Sequence, residues 1–151
     1  ILVGGAPKVM GVKEILTEWT AFRVDCVKRR TFFELTKAKE KYHLLKGLQK
    51  ILLDIDKAIK IVRETAEEKE VVPNLMIGFG IDEIQAEYVA EIKLRHLNRE
   101  YILKRTADIE ALIKEIEEME AILNSRTRLS KLIIKELEQV IAKYGKERCT
   151  E

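Results

Sequence analysis

The stretch that decides the fold runs from Val12 to Leu45 and reads VKEILTEWTAFRVDCVKRRTFFELTKAKEKYHLL. Its apolar side chains recur at steps of three, four or seven residues, the spacing of one face of an α-helix. They are Val12, Ile15, Trp19, Phe22, Cys26 and Phe33. No proline interrupts the stretch, which would span about 50 Å at the helical rise of about 1.5 Å per residue. The stretch therefore predicts one long amphipathic helix.

The composition of the whole chain predicts an all-α fold. Its 151 residues are 46% hydrophobic and 36% charged, which suffices for a folded domain with a core. Seven glycines, two prolines and 6% aromatic residues are typical of long helices. Cys26 and Cys149 lie far apart without a secretory signal, so we expect no disulfide and a cytoplasmic location. No run of 18 apolar residues occurs, and we expect no membrane partner.

The segments around the long helix predict the end of a strand hairpin before it and a helical knob after it. Residues 1–11 contain several glycines around short apolar runs. Because the chain begins at Ile1 rather than Met, we expect a piece of a larger protein. Gly47 predicts a bend at the end of the helix, since glycine weakens a helix interior. The knob is expected over residues 46–100.

The knob combines a second apolar stripe with one irregular segment. The stripe covers residues 48–62 and ends in a charged surface connection over residues 64–70. Residues 73–80 are apolar but contain one proline and two glycines, so we expect the least regular backbone there. Asp82 and Glu83 then predict the start of another helix, because acidic side chains favour the first turn.

The last part of the chain predicts the returning half of a helical hairpin. Residues 101–145 carry two more apolar stripes with coiled-coil spacing, joined at Asn124-Ser125 and ended by Gly145. A long amphipathic helix is not stable alone in water, so we expect this part to fold antiparallel against residues 12–45. The predicted architecture is a long antiparallel coiled-coil hairpin with the knob at its tip and a tail over residues 146–151.

Charge is segregated along the chain, although the net charge is only +2. Residues 23–46 hold eight basic against three acidic side chains, and residues 108–120 hold six acidic against one basic. The basic run Lys28, Arg29 and Arg30 leaves two alternatives. In the first, the run contacts DNA phosphates without sequence preference. In the second, which is favoured, it pairs with acidic side chains across the hairpin. The candidate acids are Glu115, Glu117, Glu118 and Glu120.

No residue spacing in the chain predicts a catalytic, cofactor-binding or metal site. His43 and His96 have no cysteine or carboxylate at metal-ligand spacing, which favours a capping or core role. Asp54 and Asp56 would point about 200° apart on a helix and could not share one ion there. Gly78-Phe79-Gly80 lacks the preceding strand and the third glycine of a dinucleotide fingerprint, so it predicts a turn.

Several short strings form a specific series, although each alone is weak. Those in the first half are Lys28–Leu35 (KRRTFFEL), Lys37–Glu40 (KAKE), His43–Leu48 (HLLKGL), Asp54-Ile55-Asp56 and Ile61-Val62-Arg63. Those in the second half are Glu83–Tyr88 (EIQAEY), Ile92–Leu97 (IKLRHL), Arg128-Leu129, Leu137 and Tyr144–Arg148 (YGKER). In order and spacing they resemble the A subunit of bacterial type IIA DNA topoisomerases, the gyrase and topoisomerase IV family. One departure is Asn98-Arg99, where the family commonly has a Thr-Gly turn.

The resemblance implies the exit gate, or C-gate, of an enzyme that passes one DNA duplex through a break in another. In such an enzyme ATP and Mg²⁺ belong to a partner ATPase, the B subunit, so we expect no cofactor in this chain. The knob is expected to pair with the knob of a second copy in a homodimer. The expected interface residues, which would otherwise fill the core of the knob, are Leu75, Met76, Ile77, Phe79, Ile81 and Ile92.

The resemblance also implies that this chain is inactive alone. The nucleophilic tyrosine of the family follows an arginine, whereas none of Tyr42, Tyr88, Tyr101 and Tyr144 does. The leading hypothesis is therefore a structural dimerisation domain that contacts DNA and the B subunit through its parent enzyme. The alternatives are a stand-alone coiled-coil interaction module and a non-specific DNA-binding helical domain. Gyrase and topoisomerase IV are expected to differ in a C-terminal domain rather than in these strings.

Overall fold

The computed structural model describes residues 1–147, apart from the side chain of Arg99. The described residues form a two-stranded hairpin, six α-helices and one short 3₁₀ helix, and this confirms the predicted all-α class. The bounds are Leu2–Val3 (β1), Ala6–Pro7 (β2), Val12–Leu52 (α1), Ile55–Glu64 (α2), Glu68–Phe79 (α3), Glu83–Ala90 (α4), Leu94–His96 (3₁₀), Arg99–Asn124 (α5) and Arg126–Tyr144 (α6). Arg148, Cys149 and the end of the predicted tail lie outside the described residues.

The chain divides into two compact units. Unit 1 comprises residues 1–35 and the chain from Glu118 onwards, and unit 2 comprises residues 36–117. Helices α1 and α5 each contribute residues to both units. The residues predicted to form the knob, 46–100, all lie in unit 2. Helix α1 has the length that a long helical hairpin requires.

The core of unit 1 uses a different face of α1 from the predicted stripe. Val27 is buried against Leu129 and Ile133 of α6. Trp19 and Phe22, which were expected to face inward, are 46% and 63% exposed. The prediction was wrong because a helix with apolar residues on two faces buries the face that its neighbours cover. In a helix, successive side chains point about 100° apart, so burying Val27 turns much of the aromatic stripe outward.

One core cluster of unit 2 takes one buried side chain from each of helices α1 to α4 and a fifth from the turn between α3 and α4. Its buried residues are Ile51, Ala58, Leu75, Ile81 and Ala86. Partly buried residues of α2, α3 and α4 pack around them, among them Ile61, Val71, Val72, Met76, Phe79 and Val89. Because α2, α3 and α4 are short, each depends on this shared core for its stability.

Helix α1 runs on through Gly47 to Leu52 without a break in its helical structure. A Cβ atom added at Gly47 would lie 2.7 Å from Cβ and Cγ of Gln85 on α4. Glycine is therefore present for the close approach of α4, and the packing around it outweighs the roughly 1 kcal/mol that glycine costs in a helix. The prediction of a bend considered helix propensity alone and missed this contact.

Helix α3 covers most of the segment predicted to be a charged connection followed by irregular backbone. It begins at Glu68 and contains Pro73, although proline removes a helical hydrogen bond. Burial of Leu75, which is 1% exposed, explains why the helix forms. The predicted turn is confined to the end of α3, where Gly80 adopts φ 59° and ψ 47°, a conformation that favours glycine.

The helix starts that depend on local capping are confirmed. Asp82 accepts a hydrogen bond from the Gln85 backbone N–H at 2.9 Å, and the Gln85 side chain accepts from the Asp82 N–H at 3.3 Å. This reciprocal pair is a capping box. Ser125 likewise accepts from the Arg128 backbone N–H at 3.4 Å at the start of α6. Gly145 follows the last residue of α6, as predicted.

We predict that Gly47→Ala lowers the free energy of unfolding by about 1–3 kcal/mol, because overpacking a closed contact costs more than the roughly 1 kcal/mol that alanine gains in a helix. Urea unfolding followed by circular dichroism measures the difference. Gly11→Ala is the matched control, since an added Cβ there meets nothing within 4 Å. A Gly47→Ala variant as stable as the wild type would show that α4 does not pack this closely on α1.

Candidate self-association interface and its supports

The expected interface residues separate into core and surface positions. Leu75 and Ile81 are 1% and 6% exposed and lie in the core of unit 2, so they are not available to a partner. Met76 and Phe79 are half-buried and pack against that core. Ile77 is 84% exposed on α3. The prediction assigned the whole apolar run to one surface, whereas the helix turns only part of the run toward solvent.

Ile92 lines a separate apolar groove in unit 2. The groove has a volume of about 360 Å³ and lies among residues of α1, α2, α3, α4 and the segment after α4. Ile59, Val62 and Leu94 line it and are 46%, 47% and 78% exposed. Arg63 is the charged residue that lines it. Unit 2 therefore exposes Ile77 and this groove to solvent, together with other apolar side chains such as Leu53, Ile84 and Leu103.

Two lysines support the end of α3, next to Ile77. Lys57 of α2 donates to the carbonyl oxygen of Gly78 at 2.6 Å, and its ammonium lies 4.9 Å from the centre of the Phe79 ring. Lys50 of α1 donates to the carbonyl oxygen of Gly80 at 2.9 Å. We refer to Gly78–Ile81 as the α3 corner. The last turn of α3 contains no basic residue that could neutralise its carbonyls. This absence is the signal in the sequence that could have indicated contacts from basic residues of other helices.

His43 joins α1 to the start of α4. Its ring nitrogen Nε2 is hydrogen-bonded to the carboxylate of Asp82, and its backbone carbonyl accepts from Nε2 of Gln85 at 2.7 Å. The pKa of Asp82 is lowered first by the Gln85 backbone N–H and then by the hydrogen bond with His43. His43 is therefore bound to the residue that caps α4, but it neither caps a helix itself nor lies in the core, the two roles favoured from the sequence. The other histidine, His96, stacks on Tyr101 with ring centres 5.6 Å apart.

The basic run of α1 makes ion pairs within unit 1. Arg30 binds the carboxylate of Glu136 on α6, and Arg23 binds the same carboxylate at 2.8 Å. Arg29 pairs with Asp25 at 3.0 Å. Pairing was the favoured alternative, but the acid that Arg30 contacts is Glu136. Glu136 is not among the predicted acids, and it lies beside this run because the buried face of α1 packs against α6.

Lys28, the third member of the run, lines an open groove of unit 1. The groove has a volume of about 1220 Å³ and an apolar floor that includes Leu16 and Leu129. Lys13 and Arg126 line it together with Lys28.

The remaining sequence candidates have structural roles. Asp54 caps α2 by accepting from the Lys57 backbone N–H at 3.1 Å, whereas Asp56 lies inside the first turn of that helix. Burial raises the pKa of Tyr88, and the neighbouring Tyr101 raises it further. A nucleophilic tyrosine would need the opposite shift, because its phenolate attacks.

Residues 1–147 contain neither a candidate metal site nor a candidate membrane span. In that part of the chain, no group of three or more His, Cys, Asp or Glu side chains is arranged to hold a metal ion. Among the described helices, none combines the length and apolar character needed to cross a bilayer.

We predict that Glu136→Gln lowers the free energy of unfolding by about 1 kcal/mol at pH 7, the usual size for a partly exposed ion pair. The hydrogen bond from Arg30 holds the pKa of Glu136 below its usual 4.5. The pair therefore stabilises the fold above about pH 4.5 and loses its effect as the pH falls through the lowered value. Urea unfolding at pH 7 and pH 3 tests this, and Glu138→Gln, an exposed site on α6, is the control. Equal effects of Glu136→Gln at both pH values would contradict the assignment.

Comparison with known proteins gives the family of the chain. The family described as the A subunit of DNA gyrase/topoisomerase IV matches residues 1–138. The A subunit of DNA topoisomerase 4 from Salmonella typhimurium (strain LT2) is 42% identical over 144 residues, which cover 95% of this chain and 19% of that protein. The protein of the same name from Escherichia coli (strain K12) is 40% identical over the same shares.

A gyrase protein is similar to this chain as well. The A subunit of DNA gyrase from Synechocystis sp. is 36% identical over 149 residues, which cover 99% of this chain and 17% of that protein. The chain thus spans about a fifth of the length of these relatives. These matches confirm the resemblance carried by the strings from Lys28 to Leu48 and from Glu83 to Leu97. The chain belongs to the family of DNA gyrase and topoisomerase IV A subunits.

Proposed function

We propose that this chain is the exit gate of a type IIA topoisomerase and closes by self-association of unit 2. The observation that carries the proposal is the exposure of Ile77, which is 84% exposed beside a corner that is otherwise tied to the core. A large exposed apolar side chain is suited to a contact with its own copy across a two-fold axis. Membership of the A-subunit family supports the same conclusion.

The proposed gate has a mechanical task. In the parent enzyme, a DNA duplex passed through a double-strand break would leave through this gate, while a partner B subunit hydrolyses ATP with Mg²⁺. Residues of the chain would hold the gate closed, and the chemistry would lie elsewhere in the enzyme. A DNA-acting enzyme of this kind would work in the cytoplasm.

The groove beside Ile92 is the second surface that a partner copy could use. Leu94, which is 78% exposed, projects from the segment that lines it. An apolar side chain of one copy entering the groove of the other would bury area on both sides of the two-fold axis. The groove would then extend the contact made by Ile77.

The two alternative functions have less support. A stand-alone coiled-coil module does not account for a match to the A-subunit family over residues 1–138. A non-specific DNA-binding domain would rely on Lys28, Arg29 and Arg30, but both arginines already form ion pairs with Asp25 and Glu136. Binding of phosphate by these arginines would have to compete with those pairs.

We predict that the chain is a dimer, near twice 17.5 kDa, and that Ile77→Asp raises its dissociation constant at least about 30-fold. An aspartate at this site would place a charge in the contact, but it leaves the core untouched because Ile77 is exposed. Light scattering over a concentration series measures the mass, and circular dichroism verifies the fold. Substitution of Met76 or Phe79 would be less informative, since both pack on the core.

Leu103→Asp is the matched control for this experiment, because Leu103 is an exposed apolar side chain of unit 2 on α5. Leu94→Asp tests the groove in the same assay. A wild-type chain that stays monomeric at every concentration would refute the exit-gate proposal. Dissociation by Leu103→Asp to the same extent as by Ile77→Asp would refute the location of the contact.

A further inference from the structure

We infer that Lys57, assisted by Lys50, is a positioning residue for the proposed interface. Its ammonium group holds the α3 corner in place, and loss of that charge weakens self-association. This inference rests on the proposed function, because it concerns the surface that carries Ile77.

The backbone at the α3 corner needs cations from elsewhere in the chain. The last carbonyl groups of a helix have no partner within the helix and carry the negative end of its dipole. The N–H groups of Gly80 and Ile81 both turn back to the carbonyl oxygen of Met76, at 2.9 and 3.3 Å. The carbonyls of Gly78 and Gly80 instead accept from Lys57 and Lys50. The corner is thus closed by its own amides and fixed by two ammonium groups.

The two lysines lie on different helices, so together they fix the corner in more than one direction. Lys50 belongs to α1 and Lys57 to α2, while both acceptors lie within three positions at the end of α3. Helices α2 and α3 also pack closely here, since an added Cβ at Gly78 would lie 2.5 Å from Cδ1 of Ile61. Lys57 therefore acts where α2 and α3 already touch, and movement of its ammonium would move the Gly78 carbonyl.

The link to the interface is the short backbone segment from Ile77 to the Gly78 carbonyl, which belongs to the peptide bond between Gly78 and Phe79. Ile77 precedes the carbonyl that Lys57 holds, and Phe79, whose ring lies under the same ammonium, follows it. The core does not fix the side chain of Ile77, because that side chain is 84% exposed. Its orientation follows the backbone of the corner, which Lys57 contacts at the Gly78 carbonyl.

Substitutions that keep or remove the charge of Lys57 distinguish a positioning role of its ammonium group from simple packing of its side chain. Glutamine removes the positive charge and places its amide donor one atom closer to the backbone, whereas an N-acetylated lysine removes the charge on a side chain of full length. Arginine keeps the charge and can donate to the same carbonyl. We therefore expect Lys57→Gln to raise the dimer dissociation constant about fivefold to tenfold, whereas Lys57→Arg stays within about twofold of the wild type.

The experiment measures dimer dissociation of the 151-residue chain by sedimentation equilibrium, with Lys60→Gln as the control. Lys60 is an exposed lysine of α2 whose ammonium lies 4.0 Å from Glu64 rather than at the α3 corner. Hydrogen exchange at a dilution where the chain is monomeric gives an independent reading. Lys57→Gln should accelerate exchange of the Gly80 and Ile81 amides, which close the corner, relative to the Gln85 amide in the capping box of α4.

The outcomes separate this inference from the proposed function. A dimeric wild type whose dissociation constant is unchanged by Lys57→Gln would overturn the inference alone. Equal weakening by Lys57→Gln and Lys60→Gln would also overturn it, since the effect would then follow the net charge. A wild type that is monomeric throughout would overturn the proposed function and the inference with it. Weakening by Lys57→Gln, restoration by Lys57→Arg and faster exchange at Gly80 and Ile81 would support it.

Discussion

The contact between Gly47 and Gln85 is the constraint on which the arrangement of unit 2 depends. Gln85 is a buried polar side chain, 6% exposed. It lies so close to Gly47 that any larger residue at position 47 would clash with it. Its amide donates to the His43 carbonyl and accepts from the Asp82 N–H, so both of its polar atoms are satisfied. A buried amide is stable only when its hydrogen bonds are made, and this requirement fixes α4 on α1. Strings HLLKGL and EIQAEY, which are separate in the sequence, are therefore two sides of one contact.

The position of α4 determines what the rest of unit 2 presents to solvent. With α4 held by Gln85, Ala86 is fully buried and Ile81 enters the core just before the helix begins. The corner between α3 and α4 then has little freedom, because Gly80 must reverse the chain in the left-handed conformation. Core packing on one side and the two lysines on the other hold α3, and Ile77 is left on the outside. The exposed apolar side chain is thus a consequence of how its neighbours are anchored.

Local features of the fold could be predicted from the sequence, and features that depend on a partner helix could not. Asp82 and Ser125 cap helices through contacts only three residues away, so the sequence contains the whole interaction. The role of Gly47 depends on a residue on another helix, and propensity alone suggested a bend. On α3, Leu75 is buried and Ile77 is exposed because the core covers only one side of that helix, and the sequence of α3 alone does not tell which side. The same reason explains why Val27, and not the aromatic stripe, faces α6.

Two pairs of basic side chains, one in unit 1 and one in unit 2, mainly hold the chain together. Arg23 and Arg30 share one carboxylate of α6, which orders unit 1, and Lys50 and Lys57 hold backbone carbonyls in unit 2. Each of these groups would have to give up a partner at hydrogen-bond distance before it could bind a phosphate. A nucleic-acid-binding surface, by contrast, gains its affinity from cations whose counterions are released on binding. Cations already committed to carboxylates and carbonyls hold helices together, which would suit the proposed gate.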